Sequence, residues 1–302
     1  MKKHFLFTAA LFVALSFGFA SCENLDDNEE LLNRIEQLEN QLKDQQSGKD
    51  DDKTDSADKD GDKDTSSDSP VSCFTPAAFS VSSTEQVYFS KGNLQYHPAN
   101  NEWRFAENQT DYIGVANNAI VPDYDGWLDL FGWSTSSTNF GVSTSTGVND
   151  YSGSFIDWGM NQIGEDTANT WRTLSKEEWE YLLNNRPHAR SFKGAAQVNG
   201  VNGLIILPDD WKNPEGIKFK SRFHYKKSDD AYSNHQMLTA EQWSIYEQAG
   251  AIFLPANIYG HYWTSTAVDE YSSNHFYLFP NKVGVGYCSR NVGMSVRLVK
   301  DL

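Results

Sequence analysis

The sequence predicts an α+β fold: two helices, short twisted antiparallel sheets and long loops, preceded by a short helix and a disordered linker. Three observations carry this. Two capping-box sequences each open an apolar run at helical spacing. Short alternating or β-branched runs recur between turn residues. Tryptophan and tyrosine are confined to the back of the chain, all nine Trp and all fourteen Tyr lying after residue 70.

The N-terminus is an address rather than part of the fold. Lys2 and Lys3 form a positive n-region, and Phe5 to Phe19 is an apolar stretch too short to span a membrane comfortably. It ends in Phe19-Ala20-Ser21-Cys22. Small residues ahead of a cysteine resemble the lipobox of bacterial lipoproteins. The resemblance implies a signal peptide over residues 1–21 and lipidation of Cys22, which becomes the mature N-terminus. Acidic residues follow directly, as Glu23-Asn-Leu-Asp-Asp27, and are similar to surface-export signals of some Gram-negative lipoproteins. The expected location is the outer membrane, lipid-anchored and exposed on the cell surface.

Residues 22–46 hold a short helix. Leu31, Ile35, Leu38 and Leu42 are spaced as an a/d seam, with Arg34 at g and Glu39 at the next e. About two heptads is a short zipper. It makes residues 28–45 a candidate homo-oligomerisation element, the alternative being a lone marginal helix. Residues 47–70 form an acidic linker without an apolar side chain large enough to anchor a fold, and disorder is expected. The run Asp58-Lys-Asp-Gly-Asp-Lys-Asp64 looks like a calcium loop. With Gly61 at position six, however, positions one and twelve are Ser56 and Ser67, so the EF-hand pattern fails. Fully extended, such a spacer reaches roughly 80 Å.

Most of the net charge of −16 belongs to this front part. Between Glu23 and Pro70 stand 17 acidic and 6 basic residues, a net of −11. Lysine and arginine nowhere cluster as phosphate contacts require, so nucleic acid is not an expected partner. The remaining residues, 71–302, are enough for one large domain burying roughly 70–75% of its unfolded surface.

Within that domain Gln86–Ser90, Leu94–Tyr96 and Trp103–Phe105 read as strands, separated by turns at Lys91-Gly92-Asn93 and Pro98–Asn101. Ser175-Lys-Glu-Glu178 is a capping box, Trp179, Leu182 and Leu183 form one face, and Pro187 ends a helix over 176–185. Thr239-Ala-Glu-Gln242 opens a second helix with Trp243 and Tyr246 on one side and Gly250 closing it. Asn199-Gly200 and Asn202-Gly203 supply turns into a buried strand, Leu204–Leu207. Phe276 and Leu278, then Val283 and Val285, mark a strand pair, and Ser295–Val299 is the last strand.

Two helices, hairpins and a final strand returning to the first resemble the C-type lectin fold. Arg172-Thr-Leu-Ser-Lys-Glu-Glu-Trp-Glu-Tyr181 is similar to the helix signature of formylglycine-generating-enzyme-like domains. Tyr262-Trp-Thr-Ser-Thr266 with Ser295-Val-Arg-Leu-Val299 resembles the ending of FISUMP-type (major paralogous) domains of lipoproteins. The tail, ending Gly293-Met-Ser-Val-Arg-Leu-Val299, is also similar to the variable region of retroelement-diversified lectin-fold proteins. There a rigid platform presents exchangeable side chains. Carried over, the resemblance makes His275, Tyr277, Phe279, Lys282, Tyr287, Ser289, Asn291 and Met294 the candidate ligand-binding residues. The alternative is that the aromatics pack beneath a loop. Trp179, Trp243 and Trp263 read as core, and Arg297 as a buried ion-pair partner.

No nucleophile, zinc or phosphate-loop motif is present, and the histidines are scattered. The enzyme branch of the fold uses a pair of reactive cysteines near its end. Here only Cys73 and Cys288 remain after Cys22, each solitary, and an exported protein can join them in a disulfide. The expectation is a non-enzyme without metal or cofactor, displayed to bind an extracellular protein or glycan. The rivals are a structural or adhesion subunit of a surface assembly, and an enzyme of the formylglycine-generating-enzyme-like branch.

Overall fold

The computed structural model describes residues 77–115, 124–221, 236–256 and 259–302. The expected signal peptide, Cys22, the candidate zipper and the expected acidic linker lie outside the described residues, as does Cys73.

The described fold is α+β. Thirteen strands run in chain order: β1 (Phe79–Ser80), β2 (Gln86–Phe89), β3 (Leu94–His97), β4 (Glu102–Phe105), β5 (Arg172–Thr173), β6 (Lys193–Val198), β7 (Val201–Ile206), β8 (Gln236–Leu238), β9 (Ile252–Ala256), β10 (Gly260–Ala267), β11 (Ser272–Phe279), β12 (Lys282–Ser289) and β13 (Leu298–Asp301). Two helices, α1 (Lys176–Glu180) and α2 (Ala240–Gln248), complete it. The sheets are β1-β2-β13-β5, β8-β6-β7-β9 and β10-β11-β12, with β3-β4 as a separate hairpin.

Both helix starts follow from their caps. Ser175 Oγ accepts the Glu178 amide while the Glu178 carboxylate accepts the Ser175 amide. Thr239 and Gln242 repeat the exchange at α2. Each box satisfies two amides that a helix start otherwise leaves without a partner. The first helix is regular only to Glu180; Tyr181–Asn185 forms a π-helical turn, and Arg186, preceding Pro187, is extended.

Two expectations need correction. Asn199-Gly200 makes the β6–β7 turn, both residues at positive φ, but Asn202-Gly203 lies inside β7. Gly203 is there because the neighbouring strand approaches closely: a Cβ at this position would sit 2.4 Å from the Leu254 carbonyl and from the Phe253 ring. The last strand starts at Leu298 rather than Ser295. Met294 and Ser295 instead form single bridges to Phe131 and Tyr262. From Leu298 the chain inserts between β2 and β5, with Val299 opposite Phe89 and Arg172, so the last strand closes onto an early strand of the described fold.

Three apolar clusters hold these pieces. One packs Trp179, Leu182 and Leu183 between Phe79, Phe89 and Val299 and the β10–β11 residues Tyr262, Phe276 and Leu278. Trp179 stacks on Phe276 with ring centroids 4.6 Å apart and planes 9° off parallel. The second is rich in tryptophan: Trp103, Trp133, Trp158, Trp171 and Trp263, with Phe131, Cys288 and Met294. The third lies beneath α2 around Trp243, Tyr246 and Phe253. Trp179, Trp243 and Trp263 are core residues, as read from the sequence.

Candidate functional site

The longest strands of the described fold, β10, β11 and β12, have eight residues each and form one antiparallel sheet. A two-residue turn at Pro280-Asn281 puts Phe279 opposite Lys282. The register then places Tyr277 opposite Gly284 and His275 opposite Gly286. On the other side His261 faces Tyr277 and Trp263 faces His275. Side chains alternate along a strand, so His261, Trp263, His275, Tyr277, Phe279 and Lys282 share one face, here called the outer face. Tyr262, Phe276, Leu278, Val283 and Val285 share the inner face, which packs into the Trp179 cluster.

The outer face is an aromatic row. Tyr277 and Phe279 stack at 5.0 Å. Tyr259 meets the Phe279 ring edge-on at 4.8 Å, and His261 meets it at 5.8 Å. Lys282 places its ammonium 4.9 Å from the Phe279 ring centre and 5.5 Å from that of Tyr277. Such cation–π contacts at exposed sites contribute about 0.5–1 kcal/mol. Glycine on β12 makes room for Tyr277: a Cβ at 284 would lie 2.7 Å from its hydroxyl. The ring thus lies across the sheet edge, where it covers backbone that glycine leaves bare.

The row changes character along its length. At one end Lys282 and Tyr259 are exposed and Tyr277 is half-buried. At the other, His275 is 3% exposed beside Trp263. Burial disfavours the imidazolium, and holds the pKa of His275 down to about 3, with the neighbouring His261 adding to the effect. His261 is held down to about 4 by burial. Both rings are neutral near pH 7 and serve as packing groups. The Nδ1 atom of His275 has no hydrogen-bond partner.

The eight candidate residues therefore do not form one surface. Tyr277 and Lys282 stand at the open end of the outer face. Phe279 shares that face but is only 9% exposed, contrary to expectation, because Tyr259, Tyr277 and Lys282 cover it. His275 and Met294 were expected outside and are inside. His275 is sealed at the Trp263 end, and Met294, at 2% exposed, is part of the tryptophan-rich core through its bridge to Phe131. Tyr287, at 66% the most exposed large apolar side chain among the described residues, pairs with Asn274 and so points to the opposite side from Tyr277. Ser289 shares that side and donates to Asn291 Oδ1 at 2.7 Å; Asn291 in turn donates to the Thr146 carbonyl. Ser289 and Asn291 thus fasten the end of β12 to a Ser/Thr-rich loop.

Tyr259 and His261 went unrecognised in the sequence. The signal was there: residues 259, 261 and 263 alternate with the buried Tyr262, as a strand facing two ways requires.

Arg290, directly after β12, and Arg297 are buried cations. Arg290 lies over Trp133 at 4.2 Å and donates to the carbonyls of Tyr151, Gly153, Asp269 and Ser272. Arg297, 1% exposed, was expected in an ion pair. Instead its guanidinium donates to the Lys91 carbonyl, Gln109 Oε1 and Asn93 Oδ1, at 3.0, 2.8 and 3.4 Å. Burial lowers its pKa to about 10. Asp129, also buried, accepts the amides of Ile113 and Gly114, yet desolvation pushes its pKa up to about 6.

Elsewhere a depression of about 500 Å³ is lined by Glu85, Arg172, Glu178 and Asp301 among others. Arg172 spends Nε on Asp301 and both terminal nitrogens on Glu178. This is an ion-pair network joining β5, α1 and β13. Among the described residues no three His, Cys, Asp or Glu side chains gather as a metal site. Cys288 is disulfide-bonded, with its partner outside the described residues.

The chain matches no family model, no curated protein and no solved structure.

Proposed function

We propose that this chain is a surface-displayed lipoprotein whose C-terminal C-type-lectin-like domain binds an extracellular protein or glycan. The contact surface is the open end of the outer face of β10–β11–β12. In this reading the lipid on Cys22 holds the protein in the outer membrane, the acidic linker extends it, and copies joined through residues 28–45 gain avidity without new contacts.

One observation carries the reading. Tyr259, Tyr277, Phe279 and Lys282 form a continuous aromatic shelf with a cationic end, built on a sheet whose inner face is part of the core. Large rings with few torsions give contact area at low ordering cost. Neither the Arg172 depression nor the two buried histidines offers a group free to act on a substrate. The reading is a shallow binding surface rather than a reaction cleft. Probing a glycan and a protein array with the full chain and with Tyr277→Ala/Lys282→Ala tests it. A ligand retained by the wild type and lost by the variant is the expected outcome; equal binding by both rejects this surface.

A second reading, a subunit of a surface fibre, is favoured by β12, an eight-residue strand that ends its sheet. A strand edge is a template for pairing with another chain. Ordered polymers of purified protein in electron micrographs would support it.

A further inference from the structure

The geometry points to a second copy of this chain as the partner of the open edge of β12, the two β12 strands running antiparallel about a two-fold axis at Val285 and joining two sheets into one.

The two edges of the β10–β11–β12 sheet differ. The β10 edge is occupied by the chain itself: the Trp263 amide donates to the Ser295 carbonyl, the Ser295 amide to the His261 carbonyl, and the Ser265 amide to the Leu174 carbonyl. At the other edge the Arg290 amide donates to the Tyr271 carbonyl, which sets the phase of the β11–β12 ladder. Hydrogen-bonded and non-bonded pairs alternate along an antiparallel pair. Lys282, Gly284, Gly286 and Cys288 therefore turn their amides and carbonyls toward β11, while Val283, Val285 and Tyr287 turn theirs away. Among the described residues nothing hydrogen-bonds to those outward groups, and all three residues are half-buried or exposed. Edge strands ordinarily carry a device against pairing: a charge, a proline, a bulge or a short length. From Val283 to Ser289 there is none. The segment has no charge and no proline, and its register with β11 is unbroken.

A second β12 fits this edge in one register. With Val285 opposite Val285 of the second copy, Val283 falls opposite Tyr287 of that copy, and Tyr287 opposite its Val283. Every outward amide of the three residues then meets an outward carbonyl. The side chains agree. Tyr287, 66% exposed, gains a β-branched neighbour across the strands, a pairing that stabilises sheets. Lys282 meets Cys288 rather than another cation, and the two lysines lie roughly 20 Å apart along the strands. Gly284 meets Gly286. Tyr277 accounts for the glycine at 284 but not for the one at 286, where a Cβ would make only an ordinary contact with its ring at 3.4 Å. In the pair, Gly286 lies beside the Gly284 over which the Tyr277 ring of the second copy is laid. A contact of this kind uses the same edge on both copies, and the β10 edges are already covered. The result is a closed dimer rather than a growing polymer. It rests on the ladder and on neither reading of the function.

The test is residue-resolved amide hydrogen exchange on the full chain over a dilution series, with sedimentation giving the dimer fraction. The same series on Ile35→Pro removes the candidate zipper as another source of dimers. With about nine-tenths of the chain dimeric, the amides of Val283, Val285 and Tyr287 should exchange about tenfold more slowly than in the monomer. Those of Gly284 and Gly286, already bonded to β11, should change far less. Val285→Pro removes an outward amide without touching the β11 ladder and should leave the Ile35→Pro chain monomeric. Tyr287→Asp, at an exposed position, should do the same and covers a failure of the proline variant to fold. The inference is overturned by an Ile35→Pro chain that is monomeric at every concentration, by rapid exchange at all three amides in the dimer, by a dimer that survives either folded variant, or by polymers that lengthen with concentration. Loss of ligand binding in Tyr277→Ala/Lys282→Ala with the dimer intact bears only on the recognition reading.

Discussion

The two faces of the β10–β11–β12 sheet are both aromatic, yet they do different things. The inner face buries Tyr262, Phe276 and Leu278 against Trp179 and closes the core. The outer face begins just as buried, at Trp263 and His275, and then opens at Tyr277, Lys282 and Tyr259. Composition does not separate them. What differs is whether a layer lies above: α1 covers the inner face, while the tryptophan-rich core covers only one end of the outer one. The lesson is that the covering layer, rather than the residue type, decides whether an aromatic strand is core or contact surface.

The comparison breaks most visibly on the inner face. Trp179→Ala removes the ring stacked on Phe276 and should cost about 3–5 kcal/mol, read by denaturant unfolding. A loss under about 1 kcal/mol would mean that the inner face is not a core.

The sealed end of the outer face should announce itself in the pH dependence. Burial holds the folded pKa of His275 down to about 3, against an ordinary value of 6.5. Between those limits the unfolded chain binds more protons, so stability rises with pH. It is fully present above about pH 6.5 and is lost as pH falls toward 3. His261 acts in the same direction, while Asp129 acts in the opposite one. With its pKa raised to about 6, Asp129 contributes stability that is present below about pH 4 and lost as pH rises to 6. His275→Gln should therefore flatten the acid limb between pH 6.5 and 4 by about 3 kcal/mol, at about 1.4 kcal/mol per pH unit. An unchanged limb would place the imidazole in contact with water.

Glycine 284 sharpens the open end. A Cβ there meets the Tyr277 hydroxyl at 2.7 Å, whereas one at 286 meets the nearest ring atom at 3.4 Å. Gly284→Val should displace the Tyr277 ring and cost about 1–2 kcal/mol. Gly286→Ala should cost less, since it needs only a small adjustment. Equal losses in thermal unfolding would show that Tyr277 does not lie over residue 284. The smallest effect belongs to Tyr287, exposed on the other side: Tyr287→Ala should change stability within about 0.5 kcal/mol and leave ligand binding unaltered.

How much of this was legible depends on the range of the physics. Both helix starts were, because a capping box is settled within four residues. The opposition of Phe276 and Leu278 to Tyr277 and Phe279 was too, because alternation is local. The burial of His275 and Met294 was not. It depends on the tryptophan-rich core closing over the Trp263 end of the β10–β11 pair and on Phe131, which a bridge over a long sequence separation brings alongside Met294. The placing of Tyr287 apart from Tyr277 was within reach, since a two-residue turn at Pro280-Asn281 determines it. The eight candidates, however, were carried over from a resemblance, without a register. Gly203 failed for another reason: an Asn-Gly pair signals a turn, while the packing of Phe253 and Leu254 requires a glycine at the same place.

Binding by three proteins side by side tests the central claim most directly: the wild type, Tyr277→Ala/Lys282→Ala, and Tyr287→Ala, applied to the same ligand array. The account predicts that the ligands of the wild type are kept by Tyr287→Ala and lost by the paired variant, with all three proteins equally folded. Loss in Tyr287→Ala with retention in the paired variant would contradict it.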